Sequence, residues 1–383
     1  MVLRNKEKVL TLILVTLLII CSAPPVKANV NEREVSVSAQ AAVLMDAESG
    51  RVLYEKNGHE PLRIASITKI MTAIIAIELG NLDDVVTVSP RASGVEGSSI
   101  YLMPGEKITL EALLYGLMLR SGNDAAVAIA EHIGGSEEGF VFLMNQKAAE
   151  LGMTNTVFGN PHGLDTHEEH YSTAYDMAVL AAYAMQNETF ATIVSTKRKT
   201  VPMEGEAWDR VWYNKNRLLS MYPYADGVKT GYTKRAGRTL VSSSTKDGHR
   251  LIAVTLNASN DWRDHMALFE YGYSHYDLTP LAEAGATVPH GELVRSDGQF
   301  KYLNSFKYPL RQDEQIRRKL VLEPVFQNET LDHIPYPAGY MYYYLDEEPI
   351  GRTPLVFQAN DEQESYWRYF KKIFHSTLGV FHG

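Results

Sequence analysis

The chain has a single cysteine, Cys21, and it falls in an N-terminal segment that reads as removable. Without a second thiol the remaining protein can build no disulfide, no cysteine nucleophile and no thiolate metal site, so any covalent catalysis has to use a hydroxyl. A basic excess is missing too: 37 Lys and Arg against 46 Asp and Glu leave a formal charge of −9. With no surplus cation to neutralise phosphates, nucleic acid is excluded as the main partner. Long apolar runs are also lacking. The most hydrophobic stretch, residues 9–20, is too short to span a bilayer comfortably and is followed by Pro24 and Pro25. There are no internal repeats and no low-complexity tract.

What the two ends do contain is directional. Arg4, Lys6 and Lys8 precede the apolar stretch, and Val26-Lys27-Ala28 follows it, which is the layout of a cleavable export signal ending at Ala28. An uncleaved anchor is the alternative. Ile20 is too bulky before Cys21 for lipoprotein processing. At the other end, Trp367, Phe370, Phe374 and Leu378 recur at helical spacing with Arg368, Lys371 and Lys372 beside them. Such a helix suits a membrane interface with anionic headgroups, or else packs on the protein's own core. The expected location is therefore exported, at the outer face of the cytoplasmic membrane or in the wall.

Between these ends, 45% hydrophobic and 22% charged residues over 383 positions describe a globular protein of two or three domains. "AAVLMDAESGRVLYEKN" reads as a hairpin around Glu48-Ser49-Gly50, and "SITKIMTAIIAIELG" as a helix ending at Gly80. "LEALLYGLMLR" and "DAAVAIAEHIG" are helices interrupted at Ser121-Gly122-Asn123. "EEGFVFLMNQKAAELG" and "STAYDMAVLAAYAM" are two more, the second capped by Ser172 or Thr173. From Asp226 to Asn257 the pattern turns to adjacent antiparallel strands, with Asp247-Gly248 as a turn, and "DWRDHMALFEYGYSHY" closes this part as a helix. Residues 277–358 show short strand runs between Pro and Gly. The expected architecture is α+β: a signal at 1–28, helices on an antiparallel sheet over 29–276, a small all-β domain over 277–358, and an amphipathic helix over 359–383.

Three short patterns carry chemistry. Ser66 and Lys69 are three apart at the front of an apolar helix, where a residue three along shares the face and a deprotonated lysine can reach the serine oxygen. Ser121 and Asn123 put polar groups at a break between two buried helices. Lys229, Thr230 and Gly231 lie in an edge-type strand, where a cation and a hydroxyl can hold a carboxylate and the glycine leaves room for a substrate backbone. Each also has an ordinary reading, as a helix cap, an N-cap and a plain surface strand. Their joint occurrence in the order S-x-x-K, S-x-N, K-T-G is what selects the chemical one.

In this set, and in "RIASITKIMTA", "YGLMLRSGNDAAVAIAEHIGG", "NPHGLD", "HYSTAYDMA", "KTGYT" and "NDWRDHM", the chain resembles the low-molecular-weight penicillin-binding D-alanyl-D-alanine carboxypeptidases, nearest the sporulation type of Bacillus-like bacteria. The resemblance is strong over about residues 37–276; the β domain and terminal helix match the family's stalk and anchor in position and character. It implies a serine β-lactamase/penicillin-binding transpeptidase-like domain acting on peptidoglycan stem peptides ending in D-Ala-D-Ala. By it, Ser66 is the nucleophile, Lys69 the base, Ser121 a proton relay, Asn123 a substrate-amide contact, and Lys229, Thr230 and Gly231 the carboxylate site. It also implies acylation by β-lactam antibiotics and no cofactor or metal. Family members add an arginine after the K-T-G strand, and Arg263 sits about one residue from that place. The alternatives are a serine β-lactamase, for which Glu168 or Glu169 would have to activate water, and a β-lactam sensor that acylates once and stops. A zinc peptidase would need ligands such as His167 and His170, which are three apart and lack a suitable third partner.

Overall fold

The computed structural model describes residues 35–203, 207–289, 298–324 and 335–359. The expected signal segment and the amphipathic stretch after Ala359 lie outside the described residues.

Strands β1 (Ala41–Asp46) and β2 (Val52–Lys56) form the expected hairpin, with Gly50 at φ +72° and the Asp46 carboxylate accepting from the Ser49 amide and hydroxyl. A 3₁₀ turn over Ala65–Thr68 leads into helix α1 (Lys69–Leu79). The α-helix thus begins at Lys69, and Ser66 sits in the tighter turn before it and caps nothing. Two small hairpins follow along the chain, β3 (Val85–Thr87) with β4 (Lys107–Thr109) and β5 (Arg198–Val201) with β6 (Arg210–Tyr213). Between them lie α2 (Leu110–Tyr115), a π-helical turn over Gly116–Arg120, α3 (Asn123–Gly134), α4 (Glu137–Glu150), α5 (Ala174–Ala184) and α6 (Glu188–Ser195). Of the two cap candidates for α5, Thr173 serves, its hydroxyl accepting from the Asp176 amide. Neither α6 nor the β5–β6 hairpin was legible in the apolar periodicity.

Strands β7 (Ala225–Thr233), β8 (Gly237–Lys246) and β9 (His249–Leu256) complete one antiparallel sheet of order β2-β1-β9-β8-β7, so the strand bearing Lys229-Thr230-Gly231 is an edge. One face of the sheet, with Val43, Met45, Ile252 and Val254, joins a core that includes Ile70, Ile74, Leu113, Ile129 and Phe190 from the helices. Burying each such side chain contributes about 1.5–3 kcal/mol. The last helix, α7 (Asp261–His275), covers the opposite face. Its Gly272 allows that approach, since a Cβ there would lie 2.6 Å from Leu251 and 2.9 Å from Leu44. With both faces covered, all six positions of β1 are buried, which is why its first five residues, Ala41 to Met45, read as an unbroken apolar run.

After α7 the chain is all strand among the described residues. β10 (Asp277–Ala282) pairs with β12 (Phe306–Leu310), while β11 (Gly298–Tyr302), β13 (Ile316–Leu322), β14 (Gly339–Leu345) and β15 (Glu348–Ala359) form a second sheet of order β11-β15-β14-β13. Phe300, Met341, Tyr343, Leu355 and Phe357 make its own core. Arg51, from the β1–β2 turn, bridges to this part: it pairs with Glu314 and lies 5.2 Å and 5.3 Å from the rings of Tyr276 and Tyr308.

Three histidines are buried in neutral form. His162 and His170 precede α5, and His265 in α7 lies between the hydroxyls of Ser242 and Thr255. Burial holds all three down to about 3, whereas an unfolded histidine titrates near 6.5. Below about pH 6.5 the unfolded chain therefore binds up to three protons that the native chain does not. Stability is expected to fall on acidification toward about pH 3, by up to about 1.4 kcal/mol per pH unit for each histidine. Urea melts from pH 7 to pH 4 check this, and His265→Asn should flatten the slope; an unchanged slope would contradict it.

Candidate active site

The site is assembled around a strained corner. Ala65, just before Ser66, adopts φ +50°, a left-handed conformation that a non-glycine residue holds only when its surroundings enforce it, at a cost of order 1–3 kcal/mol. The surroundings are a chain of hydrogen bonds. The Gly159 amide donates to His170 Nδ1 (2.9 Å), which leaves the proton of the neutral ring on Nε2 to donate to Thr68 Oγ1 (2.8 Å). Thr68 in turn donates to the Ala65 carbonyl (2.8 Å), and from the sheet side Thr239 Oγ1 donates to the Ile64 carbonyl (2.9 Å). Gly163 closes the corner, since a Cβ there would lie 2.0 Å from the Ala65 oxygen. The turn points Ser66, half-buried, into the space between α1, α3 and β7.

Lys69 is fully buried one helical turn on. Its Nζ lies 3.1 Å from Ser66 Oγ, 2.7 Å from Asn123 Oδ1 and 2.5 Å from the His162 carbonyl. Asn123 cannot present its amide nitrogen instead, because Nδ2 donates to the Glu96 carbonyl (2.7 Å). The His162 carbonyl is aimed by Asn160, whose Oδ1 accepts from the His162 and Gly163 amides; Thr72 Oγ1 binds the neighbouring Pro161 carbonyl at 2.6 Å. This is the structural content of the "NPHG" segment. Burial pushes the Lys69 ammonium well below the ordinary lysine range, and the charges of Lys229 and Lys215 push the same way. A neutral amine has two protons and one lone pair. Asn123 Oδ1 and the His162 carbonyl can only accept, so they take the protons and the lone pair is left facing Ser66 Oγ.

Lys229, also fully buried, donates to the Thr230 carbonyl at 2.8 Å, and burial, then Lys215, lowers it to about 7. Gly231 has a part beyond the expected one: a Cβ there would lie 2.4 Å from Thr239 Oγ1 and 2.9 Å from the Ser66 amide nitrogen, so glycine is required for β7 to touch the Ser66 backbone. Thr230, the next residue along β7, is half-buried.

Ser121 ends the π-helical turn at φ +64° and is 4% exposed, two residues before Asn123 opens α3. The next residue, Asp124, was not singled out by the motif, yet it organises the facing wall. Its buried carboxylate accepts from the Ile100 amide (3.0 Å), the Leu102 amide (3.1 Å) and the Ser99 hydroxyl (2.5 Å). Ser98 then receives the Asn123 amide on its carbonyl (2.7 Å) and Lys215 Nζ on its hydroxyl (3.2 Å). Lys215, His162, His170 and Thr239 are contributors that spacing did not reveal. His162 acts through its carbonyl and Lys215 at a distance, which leaves no signature in side-chain order.

The residues weighed for other chemistries sit differently. Both ring nitrogens of His170 are used in the corner, and His167 is exposed. Glu168 is gripped by Arg235 at 2.8 Å and by Arg63 at 2.6 Å, and these bonds hold it down to about 2, far too acidic for a base that activates water. Arg263 is exposed on α7 and makes no hydrogen bond or ion pair among the described residues.

Comparison with known proteins agrees in sequence and in shape. A family model described as D-alanyl-D-alanine carboxypeptidase matches residues 27–260. The D-alanyl-D-alanine carboxypeptidase DacF of Bacillus subtilis strain 168 is 38% identical over 306 residues, 77% of this chain and 78% of that protein. DacC of Escherichia coli K12, of the same description, is 31% identical over 390 residues, 90% of each chain. Among solved structures, DacD of Francisella tularensis superposes with a TM-score of 0.64 at 27% identity, covering 88% of this chain and 99% of that one. Penicillin binding protein 5 of Haemophilus influenzae gives a TM-score of 0.68 at 28% identity, with coverage of 84% and 97%.

The paired lysines give a direct expectation. In ¹³Cε NMR titrations, Lys229 should titrate near 7, and Lys215→Ala should raise it by removing a like charge. Titration of both Lys69 and Lys229 in the ordinary lysine range would refute this electrostatic picture.

Proposed function

Given that the chain belongs to the D-alanyl-D-alanine carboxypeptidase family and is a serine peptidase of that kind, we propose that Ser66 attacks the carbonyl between the two D-alanines of a peptidoglycan stem peptide. The observation that carries the assignment is the Lys69 amine, whose lone pair has no hydrogen-bond donor to face except the Ser66 hydroxyl. As the Oγ–carbon bond forms, the hydroxyl proton passes to Lys69 Nζ and the carbonyl becomes an oxyanion. The Ser66 amide, pressed against Gly231, is a donor for that oxygen, and such a donor is worth ~2.7–4 kcal/mol.

Breaking the C–N bond requires a proton on the departing D-alanine nitrogen, and Ser121 relays it from Lys69. Asn123 contacts the substrate amide. Lys229 and Thr230 bind the terminal carboxylate, and the open side of edge strand β7 lets the peptide lie extended along it. Lys229 has a second effect: its charge beside Lys69 favours the neutral base. Water then releases the acyl-enzyme. A β-lactam acylates the same serine and leaves slowly, since the Glu168 carboxylate is tied to two arginines and is not available to activate water.

We further read the chain as exported and held at the outer face of the cytoplasmic membrane by its C-terminal amphipathic segment, trimming vegetative wall or spore cortex. The aromatic stripe and basic edges of residues 367–378 support the membrane contact, and the resemblance of the sequence motifs to the sporulation-type carboxypeptidases of Bacillus-like bacteria leans the substrate toward cortex.

Ser66→Ala should lower D-alanine release from a soluble peptide ending in D-Ala-D-Ala by at least about 10⁴-fold and abolish labelling by fluorescent penicillin. Labelling that persists would refute Ser66 as the nucleophile. Deleting residues 361–383 should move the protein from the membrane pellet to the supernatant with kcat and KM on the soluble peptide unchanged, and continued sedimentation with membranes would refute the anchor.

A further inference from the structure

The second sheet has a solvent-facing side unlike the rest of this acidic chain. On β14 the side chains alternate: Met341 and Tyr343 enter the core, while Tyr340, Tyr342 and Tyr344 face outward, half-buried, in one row. At two residues per step the row is about 14 Å long. The register sets cations beside each ring. Tyr344 lies opposite Arg317 and Tyr342 opposite Lys319 on β13, and Tyr342 lies opposite Arg352 on β15. Arg317 Cζ stacks 4.4 Å from the Tyr344 centroid, and Arg352 Cζ stacks 4.6 Å from the Tyr340 centroid with Nη1 3.4 Å from Tyr342 Oη. Lys301 on β11, opposite Val356, carries the cations toward the other edge of the sheet. The carboxylates that compete are at the two ends of the row: at the β14–β15 turn Glu347 pairs with Arg317 at 2.7 Å beside Asp346 and Glu348, and exposed Glu323 follows two residues after Val321. Among the described residues, no carboxylate pairs with Lys319, Arg352 or Lys301.

We propose that this tyrosine–arginine face is a second binding surface, outside the catalytic site, for a polyanionic cell-wall glycan: the sugar strand of peptidoglycan with its carboxylate-bearing stem peptides. Charge complementarity is the argument. A chain of net charge −9 gathers Arg317, Lys319 and Arg352 on one side of one small sheet. Their stacking on tyrosine rings holds the guanidinium planes flat against the surface, where their outward edges donate to carboxylates. The rings between them offer flat faces and hydroxyls to sugar units lying along the strand. A lipid surface fits less well, because the outward apolar positions are Val321, Pro354 and Val356, with no Leu, Phe or Trp to insert among acyl chains. The surface would raise the local concentration of polymer-borne stem peptides at the active site without changing the chemistry. The proposal rests on the reading that the substrate is part of a wall polymer.

The test uses the full chain and purified peptidoglycan sacculi in a co-sedimentation assay. Arg317→Glu with Arg352→Glu should weaken retention about tenfold or more, and retention of the parent should fall as salt rises. Lys319→Glu, whose side chain stacks on no ring, should weaken it in the same direction without disturbing the ring contacts. Hydrolysis of a soluble D-Ala-D-Ala peptide should be unchanged in both variants, so a fault in the active-site assignment shows there and not in retention. Retention equal to the parent in both charge-reversed proteins would overturn the proposal. So would loss of binding to phosphatidylglycerol vesicles with sacculus binding intact, which would assign the face to membrane.

Discussion

Everything at the site depends on keeping one amine uncharged inside the protein. An ammonium at Lys69 would have three protons, and the three oxygens around Nζ would take all of them, leaving Ser66 as a mere acceptor. Removing one proton reverses that relation, because two of the oxygens have no proton to give. Desolvation supplies most of the bias toward the neutral form, and the charges of Lys229 and Lys215 add to it. A buried lysine without a carboxylate partner is destabilising for the fold, and groups of this kind cluster at functional sites.

The architecture around this amine works by constraint. Three parts of the chain distant in sequence converge on the Ile64–Ser66 turn: His170 through Thr68, Thr239 from β8, and Gly163 from the segment before α5. Each holds a backbone atom, so the strain at Ala65 persists and Ser66 keeps its aim. The edge position of β7 serves two ends at once. One side pairs with β8 to carry Lys229 and Gly231 against the Ser66 turn, and the other pairs with no strand among the described residues. Asp124 is the matching device on the opposite wall, fixing residues 99–102 through their amides. The five-stranded sheet, covered on both faces, is rigid enough to hold these parts in register.

Much of the site was legible because its side chains belong to local patterns. Ser66 and Lys69 are related by a helical turn, Asn123 opens a helix after a recognisable break, and Lys229 lies in a strand of evident β character. For Gly231 the sequence did not show the packing requirement, since only the fold brings the Ser66 amide to within 2.9 Å of where its Cβ would be. The helix start was placed at Ser66 when the chain makes a 3₁₀ turn first, a distinction that tertiary bonds to Ala65 and Ile64 decide. The β5–β6 hairpin and α6 escaped because their periodicity is short and interrupted.

Chain order alone determined the chemical class: a hydroxyl nucleophile by elimination of thiols, a lysine one turn away, and two polar clusters in a fixed sequence. It also determined the alternation of apolar residues that makes a helix-on-sheet core. What only the tertiary structure decided is which atoms face which. The carbonyl of His162, the remote charge of Lys215, the glycine-permitted contact of β7 with Ser66 and the cations set beside the tyrosines of β14 depend on segments far apart in the chain. Backbone acceptors and long-range fields have no residue type of their own, so they become readable only when the chain has folded around them.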